Sequence, residues 1–274
     1  MPKCLGLLSL FVFLLASFSG ISGQNPCPEP SDILPCTCIH DESLNAGTVD
    51  CSEAGSIDEI FSVFNEAPWP HTEFTRFNLT YNEGIQEIPE GVFGEVSFEE
   101  IFIYRTPITN VHPGAILPLK DRLWDLRIGY GAMAGFPWNI IPELPNLVRI
   151  SLYGNAFTVW PLLESDSVEI IILSGNSITF LEPGFHLPKL RVLDVDMQGA
   201  ELGILRSFPI HQIPVTIFMI EMEDEIDRPN IMKLMREMGY VDLGMAAKDK
   251  IFVREYIVSP DMEMKPGKPL PMPY

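Results

Sequence analysis

Positive charge is scarce in this chain. Lysine and arginine together number 18 against 37 aspartates and glutamates, which gives a formal net charge of −19 at pH 7. The phosphates of DNA and RNA repel a polyanion of this kind. The composition therefore excludes nucleic acid as an expected partner.

Long apolar runs are absent after the first two dozen residues, so we expect no membrane span in the mature chain. The one early run, Leu5–Phe18, follows Lys3 and precedes small residues that end at Gly23. A basic start, an apolar centre of about 7–15 residues and small residues at the exit are typical of a secretory signal peptide. We predict that residues 1–23 are a signal peptide and that the mature protein is secreted and extracellular.

Cysteine is missing from the whole chain beyond residue 51. Cys4 lies in the signal segment, and the other four lie close together at Cys27, Cys36, Cys38 and Cys51. An even cluster in a secreted chain predicts disulfides, which leaves no thiol for catalysis. Zinc ligation is the competing interpretation, but Cys-x-Cys without a matching second pair has poor zinc spacing. Of the three pairings, the one that joins Cys36 to Cys38 is the least favourable, because a single residue separates them.

Histidines are few, and their positions do not suggest a site. None of the five, at positions 40, 71, 112, 186 and 211, has a partner four residues away, as a helical zinc motif requires. The acidic run Glu221–Asp227 lacks the glycine and the ligand spacing of a calcium loop, and we interpret it as a solvated acidic turn. The sequence thus predicts no catalytic residues, no metal and no cofactor.

One apolar pattern returns six times after the cysteines: an apolar residue, two others, an apolar residue, one other, and a third apolar residue. The middle residues of successive copies are 21 to 25 positions apart, inside the window of about 20–29 residues for leucine-rich repeats. Such repeats stack as short strands, because no single repeat can bury its own apolar face. The six middle residues are Phe77, Ile101, Leu126, Ile150, Ile171 and Leu193.

The turns after these strands carry further marks of the repeat. Asn82, Asn155 and Asn176 each stand three residues after the last apolar position, where an amide side chain can satisfy backbone groups of the turn. Three downstream segments resemble the Ile-Pro-x-Gly-x-Phe and Ile-x-Pro-Gly-Ala-Phe turns of secreted leucine-rich-repeat proteins. They are Ile88–Phe93, Val111–Ala115 and Leu181–Phe185.

Residues 27–193 resemble a family of secreted arthropod leucine-rich-repeat proteins, the group of the Oplophorus-luciferin 2-monooxygenase non-catalytic subunit. This resemblance implies an α/β fold in which a cysteine-rich N-terminal cap, residues 24–52, precedes a leucine-rich-repeat solenoid, residues 53–190. In the caps of extracellular repeat proteins the first cysteine pairs with the third and the second with the fourth, which implies Cys27–Cys38 and Cys36–Cys51. The resemblance also implies a protein-binding module, or a non-catalytic accessory subunit of a secreted complex.

From residue 191 the repeat pattern stops, and residues 191–258 resemble the C-terminal half of FkbM-family methyltransferases. Leu193–Leu205 resembles the Leu-Lys-Ile-Asp-Val-Gln-Gly-Ala-Glu-Leu-Glu-Val-Leu segment of that family. The likeness continues through Val215–Glu221 and extends to Met238–Tyr240 and Asp249–Arg254. The resemblance implies a partial Rossmann-like α/β segment that caps the C-terminal end of the solenoid. Apolar periodicity predicts helices at residues 200–208 and 230–238. The motif residues are Asp196, Gln198, Gly199 and Glu201.

The donor-binding half of such a methyltransferase has no counterpart in the sequence. In that family S-adenosylmethionine lies on a glycine-rich loop after the first strand and is paired with an acid that ends the second strand. This chain has repeats at that place. Ile128–Gly135 imitates the loop, but Pro137 and Pro142 follow where a helix is required. A protein-binding module is therefore the favoured function, and the alternative is an FkbM-like S-adenosylmethionine-dependent methyltransferase that lacks its donor site. A junction introduced by gene modelling is the third interpretation.

The chain ends in a segment that cannot build a core. Residues 259–274 contain five of its 25 prolines and few apolar side chains that could pack together. Proline at this density disrupts both helices and strands. We predict a disordered tail over these residues.

The residues between the apolar positions of each repeat strand point away from the core, onto the concave face of the sheet. Tyrosine, phenylalanine and arginine recur in these slots and beside them, and these residue types are enriched where proteins bind one another. The alternative is that they only decorate the surface, since tyrosine is a good strand former. The candidate partner-binding residues are Tyr81, Phe102, Tyr104, Arg105, Arg127, Tyr130, Arg149 and Tyr153.

Asn78-Leu79-Thr80 is the single Asn-x-Ser/Thr acceptor in the chain and predicts an N-linked glycan on Asn78. Strand alternation sends Asn78 outward between Phe77 and Leu79, onto the concave face. A glycan at this place shields the first repeat and directs a partner toward the second to fourth repeats.

Overall fold

A computed structural model describes residues 25–197, 199–246 and 248–257, and one eleven-stranded sheet runs through them. Eight consecutive strands of this sheet are parallel, and an antiparallel hairpin closes each end. The predicted signal peptide, the predicted tail and Gln198 lie outside the described residues. In the described part, no helix has the length and apolar character needed to cross a membrane.

Each of the six predicted repeat motifs forms one strand of the sheet. Their middle apolar residues stand in register, so that Phe77 lies opposite Ile101 and Ile171 lies opposite Leu193. All six are at most 1% exposed, which confirms the repeat prediction. The repeat strands are β3 (Glu73–Thr80), β5 (Ser97–Tyr104), β7 (Asp125–Gly129), β8 (Arg149–Ser151), β10 (Ile170–Ile172) and β12 (Val192–Val195).

The N-terminal cap is a hairpin that supplies the first strand of the parallel stack. Strands β1 (Thr37–Asp41) and β2 (Ala46–Asp50) are antiparallel to each other. Strand β2 then pairs in parallel with β3, which places Val49 opposite Phe77. The apolar ladder of the repeats therefore begins inside the cap.

Two disulfides hold the cap together. Cys27 is bonded to Cys38, and Cys36 is bonded to Cys51. These are the pairs that the resemblance to extracellular repeat caps implies. Cys36 and Cys51 are both buried, so the second bridge covers the end of the apolar core.

Short elements return the chain on the convex side of the coils. Helix α1 (Ile57–Glu66) begins after Ser56, whose hydroxyl accepts from the backbone N–H of Glu59, while the Glu59 carboxylate accepts from the N–H of Gly55. This reciprocal cap satisfies donors that a helix start leaves free. The other short elements are α2 (Pro113–Ile116), β4 (Glu87–Ile88), β6 (Asn110–Val111), β9 (Val159–Trp160), β11 (Phe180–Leu181) and 3₁₀ turns at Pro30–Asp32, Leu117–Leu119, Trp138–Glu143 and Glu255–Ile257.

The parallel sheet continues past the last repeat. From β12 the chain passes through helix α3 (Glu201–Ser207), close to the helix predicted at residues 200–208, into strand β13 (Ile217–Glu221). Strand β13 is parallel to β12 and places Phe218 opposite Leu193. The last repeat strand is thus also the first strand of a β-α-β unit.

An antiparallel hairpin ends the sheet. Helix α4 (Arg228–Glu237) leads into β14 (Tyr240–Ala246) and β15 (Asp249–Arg254), and β15 lies between β13 and β14, antiparallel to both. The pairing of β14 with β15 shifts register between Asp242 and Gly244, which is a bulge in the outermost strand. The sheet order here is therefore β12, β13, β15, β14.

Aromatic side chains carry the core across the junction between the repeats and the C-terminal unit. The fully buried Trp160 lies 5.4 Å from Phe185 and 6.1 Å from Phe208, measured between ring centroids. Phe208, which follows α3, lies 6.0 Å from Phe218 in β13. Aromatic pairs at such distances are stabilising, and a repeat array needs its last coil covered. The two units therefore share one core.

Buried asparagines join consecutive coils at their turns. Nδ2 of Asn176 donates to the carbonyl of Leu152 in the preceding coil at 3.0 Å and to a carbonyl of its own coil at 2.8 Å. Its Oδ1 accepts from the N–H of Phe157 at 3.1 Å. Asn82 and Asn155 bridge their own and preceding coils in the same manner. Each amide satisfies backbone groups that strand pairing leaves unpaired.

We predict that Asn176→Ala lowers the free energy of unfolding by about 2–4 kcal/mol, because it leaves several buried backbone groups without partners. Asn146→Ala is the matched control, since Asn146 is exposed and donates one hydrogen bond, to Asp121. That change should cost less than about 1 kcal/mol. Urea denaturation of both variants measures the difference, and equal losses would contradict the bridging role.

Candidate functional site

Five side chains at or just after the ends of the first four repeat strands form a continuous surface, which we name the Tyr–Arg patch: Tyr81, Tyr104, Arg105, Tyr130 and Tyr153. The ring of Tyr104 lies 5.5 Å from those of Tyr81 and Tyr130, and the rings of Tyr130 and Tyr153 are 5.2 Å apart. The Arg105 guanidinium carbon lies 5.4 to 5.7 Å from three of these rings. Edge-on aromatic pairs and cation–π contacts hold the patch together.

The patch is open to solvent. Tyr81 and Tyr130 are 66% and 51% exposed, Arg105 is exposed, and Tyr104 and Tyr153 are half-buried. The Nε of Arg105 donates to the Tyr104 hydroxyl at 3.2 Å, and this hydrogen bond raises the pKa of Arg105. Burial raises the pKa of Tyr153 to about 12, so its hydroxyl keeps its proton near neutral pH.

Three members of the patch have a left-handed backbone. Tyr81, Arg105 and Tyr130 have φ angles of 54°, 50° and 53°. Each is the second residue after the last apolar position of its strand, and the next two repeats place Gly154 and Gly175 there, with φ angles of 65° and 67°. This conformation costs a residue with a Cβ about 1–2 kcal/mol.

The repeat stack imposes that conformation. The N–H of Tyr81 donates to the Tyr104 carbonyl of the next coil at 2.8 Å, and the N–H of Tyr130 donates to the Tyr153 carbonyl at 3.0 Å. Gly154 makes the same bond, to Ser174. The backbone at this position is therefore fixed by its place in the coil, whichever side chain it carries.

Two glycines make room for the tyrosine rings. The Tyr153 ring lies against Gly129, where a Cβ would overlap the ring, and a Cβ on Gly154 would lie 2.8 Å from Cδ1 of Tyr130. Gly129 is also the first glycine of the segment that imitates a cofactor loop. It ends β7, and a 3₁₀ turn containing Pro142 follows instead of an α-helix. Ring packing thus explains Gly129, the first glycine of this segment.

Two of the candidate arginines are held by a buried carboxylate. Asp125 is fully buried and accepts from Arg127 at 2.5 Å and from Arg149 at 2.9 Å. The bond to Asp125 raises the pKa of Arg127. The arginine side chains are only 17% and 13% exposed. A buried network of this kind fixes geometry, and it commits Arg127 and Arg149 to Asp125.

Phe102 is more covered than its strand position predicts. Its ring is half-buried, lies parallel to that of Tyr104 at 6.1 Å, and has the Arg76 guanidinium carbon 5.9 Å from its centre. Glu100 holds Arg76 by an ion pair and accepts from its Nε at 2.7 Å. Phe102 therefore packs beside the patch.

Asn78, the predicted glycan site, lies in β3 opposite Asp50 on one side and Phe102 on the other. It is half-buried, and its Oδ1 is buried without a hydrogen-bond partner in the described residues. Glycosylation of Asn78 stays a prediction.

A second group of polar side chains lies where β12 and β13 end. Asp196, Glu201 and Glu221 each present an oxygen within 4.8 Å of the others, and all three are at least nine-tenths buried. Oε1 of Glu201 accepts from the N–H groups of Met197 and Gly199 at 2.9 and 3.0 Å. Of the methyltransferase-like motif, the structure thus brings Asp196, Gly199 and Glu201 together.

The structure corrects the interpretation of the run Glu221–Asp227 as a solvated turn. Glu221 is the last residue of a buried strand and is 6% exposed, because β15 and α3 flank it. Residues 223–226 are exposed, as expected of a turn. Only the later part of the run is therefore solvated.

Burial and the negative charges of neighbouring carboxylates raise the pKa values of two acids in this region. Burial raises the pKa of Asp194 to about 7, and the charge of Asp249 adds to the effect. Burial likewise raises the pKa of Asp196 to about 7, with Glu221 adding to it. Lys248 forms an ion pair with Glu221, and this hydrogen bond raises the pKa of the lysine.

Part of this chain is similar to a curated protein. It is 28% identical over 153 residues to the Oplophorus-luciferin 2-monooxygenase non-catalytic subunit of Oplophorus gracilirostris, which covers 56% of this chain and 42% of that protein. The chain therefore spans less than half the length of this relative. Among solved structures, a chain of a TLR13–ssRNA13 complex matches with a TM-score of 0.35 and 15% identity, over 62% of this chain and 31% of that one. No family model matches.

Sequence reasoning identified the patch residues but missed two features of the sites. The left-handed positions had a signal, because aligning the repeats places Gly154 and Gly175 in the slot of Tyr81. The buried acids had only a partial signal, since the methyltransferase-like motif groups Asp196 with Glu201, whereas Glu221 and Asp249 come from segments that are separated from it along the chain. Their common location is visible only once β12, β13 and β15 are neighbours.

We predict that Tyr81→Gly is more stable than Tyr81→Ala by about 1 kcal/mol, since both lose the ring and only alanine keeps a Cβ at positive φ. Tyr256 is the matched control, because it is 78% exposed and lies in a 3₁₀ turn. There the alanine variant should be at least as stable as the glycine variant. Urea denaturation tests the order, and alanine above glycine at position 81 would refute the strain.

Proposed function

We propose that the protein is a secreted, non-catalytic leucine-rich-repeat module that binds a protein partner through the Tyr–Arg patch. The observation that carries the proposal is the patch itself, an exposed set of tyrosines around Arg105. Similarity to a protein named as a non-catalytic subunit supports an accessory role. The two disulfides of the cap support an oxidising, extracellular location.

Backbone strain supports a binding role for the patch. Tyr81, Arg105 and Tyr130 each have the conformation that two later repeats give to glycine. The contacts of the Tyr81 and Tyr130 rings with Tyr104 offset part of the cost, at about 0.5–1.5 kcal/mol for an aromatic pair. Strained residues with side chains are concentrated at functional sites, where the side chain contributes contacts that glycine cannot. A folding role alone gives no reason to prefer tyrosine at these turns.

The charge of Arg105 indicates which chemical group the partner contributes. Arg76, Arg127 and Arg149 each have a carboxylate partner, whereas no carboxylate of the described residues lies within 4.0 Å of Arg105. An exposed guanidinium forms bidentate hydrogen bonds with a carboxylate, and the surrounding tyrosines supply rigid contact area at low entropic cost. We therefore infer a partner epitope with an aspartate or glutamate bordered by apolar side chains.

In this proposal a glycan on Asn78 limits the part of the concave face that a partner can reach. A glycan on Asn78 covers the part of β3 next to Phe102, and so limits access from that side. The partner then approaches over Tyr104, Tyr130 and Tyr153, which belong to the second, third and fourth repeats.

We predict that Tyr104→Ala combined with Tyr130→Ala weakens binding of the partner at least about thirtyfold, since hot-spot residues contribute about 2 kcal/mol or more. The partner is the protein that the wild-type chain recovers in a pull-down from the extracellular fluid into which it is secreted. Secretion should be unchanged, because neither ring is needed to fill the core.

The control for this pair is Tyr256→Ala, which removes an exposed tyrosine distant in sequence from the patch. Binding isotherms of the three proteins should separate the double variant from the other two. Normal binding by the double variant would move the partner site to another face.

A second candidate function is methyl transfer, and one observation favours it. The β-α-β unit of β12, α3 and β13 has Asp196 and Glu221 at the carboxyl ends of its strands, where open α/β sheets bind ligands. On its other side, however, β12 pairs with the repeat strand β10, so coils take the place of a donor-binding half. We propose that residues 191–258 act as an end cap that shares the core of the last coil. The shared core also favours a genuine junction between the two units over an error of gene modelling.

We predict that calorimetry of the purified chain with S-adenosylmethionine shows no heat of binding up to millimolar donor. The reason is the missing glycine-rich loop and its paired acid, without which nothing holds the methionine and ribose of the donor. A methyltransferase with an intact donor loop, titrated in the same buffer, is the positive control. Micromolar affinity would contradict the end-cap proposal and restore the enzymatic one.

A further inference from the structure

Five carboxylates meet at the end of the sheet next to α3. Asp194 and Asp196 alternate along the chain and so share one side of β12. Glu221 ends β13 and lies directly opposite Asp249 of β15, which places both side chains on one face. Glu201 comes from the first turn of α3. All five are 2% to 7% exposed.

Three of these acids have oxygens without partners. Oδ1 of Asp194, of Asp196 and of Asp249 is buried and accepts no hydrogen bond in the described residues. A buried ionised oxygen without a partner is strongly destabilising, and metal coordination is one of the few arrangements that satisfies it. Asp196 is itself a member of the triad whose oxygens lie within 4.8 Å of one another. These oxygens are therefore available to coordinate a cation.

Lys248 is the one basic group within 4.0 Å of these acids in the described residues. Its ammonium pairs with Glu221, lies 3.6 Å from Asp196, and lies 4.0 Å from the exposed Glu223. Its side chain is 53% exposed, so it reaches the acids from solvent on a flexible stem. A single ammonium offsets at most one carboxylate charge in this group.

We propose that Asp196, Glu201 and Glu221 bind a hard divalent cation of the calcium type, with Asp194 and Asp249 as charged neighbours and with Lys248 displaced by the ion. Carboxylate oxygens are the ligands that such cations prefer. Two oxygens on opposite sides of a calcium ion are about 4.6–5.2 Å apart, and neighbouring ligands are closer. The spacing of the triad fits within that limit.

A route for the ion is present. A cavity of about 380 Å³ opens at the acids, lined by Gly199, Glu201, Glu221, Glu223, Asp224 and Lys248. Water in this cavity completes the coordination sphere, because calcium takes about 6–8 oxygens and the protein offers fewer. The ion would join β12, β13 and α3, which are the elements that cover the last repeat.

The test uses the full secreted chain, freed of metal with EDTA and then titrated with calcium, magnesium or manganese chloride. We expect one tight calcium site per chain by calorimetry and a melting temperature raised by roughly 5 °C or more at saturation. Glu221→Gln should weaken binding at least about tenfold. Lys248→Met should strengthen it by a similar factor, because the ion no longer competes with the ammonium.

Lys250→Met is the matched control, since Lys250 lies in β15, on the opposite face to Asp249, and pairs with Asp242 at 2.8 Å. It should leave ion affinity unchanged. Lys248→Met keeps every carboxylate, so it tests the site even if Glu221→Gln fails to fold. Absence of binding in both the wild type and Lys248→Met overturns the proposal. Equal affinity in all variants also overturns it, because the ion would then bind elsewhere on this acidic chain.

Discussion

The whole molecule depends on one repeated contact, in which the middle apolar residue of a strand stacks in register on that of the next. The series runs from Val49 in the cap through Phe77 and Leu193 to Phe218 in the C-terminal unit. Each member is buried only because its two neighbours are present, so the coils stabilise one another in sequence order. The Tyr–Arg patch inherits its spacing from this stack, since each ring is one coil from the next.

The fold was predictable to the extent that it repeats. Apolar spacing near 24 residues, together with Asn82, Asn155 and Asn176, gives the strands and their register without knowledge of any contact. The fate of individual polar side chains was not predictable in the same way. Alternation places Arg127 and Arg149 on the concave face, but it cannot reveal that Asp125 between them is fully buried and binds both. That outcome depends on neighbouring strands, and a single strand pattern contains no such information.

The Tyr–Arg patch and the buried acids near α3 accommodate ionisable side chains in opposite ways. In the patch, Arg105 remains exposed and its charge is shared with aromatic faces, which bind cations without neutralising them. Near α3, carboxylates are withdrawn from water, and burial shifts their protonation toward neutral pH. The first arrangement keeps a charge available at a surface, and the second holds carboxyl groups where burial favours their neutral forms.

The hairpins at the two ends of the sheet determine how the molecule relates to other copies of itself. A parallel repeat strand with a free edge is a template on which a further coil, from the same chain or another, could assemble. Here the first edge belongs to the antiparallel hairpin of the disulfide-bonded cap, and the last belongs to β14, which the bulge at Gly244 distorts. In the described residues, neither edge strand is a parallel repeat strand. A further repeat coil therefore finds no parallel repeat strand to pair with at either edge of the described sheet.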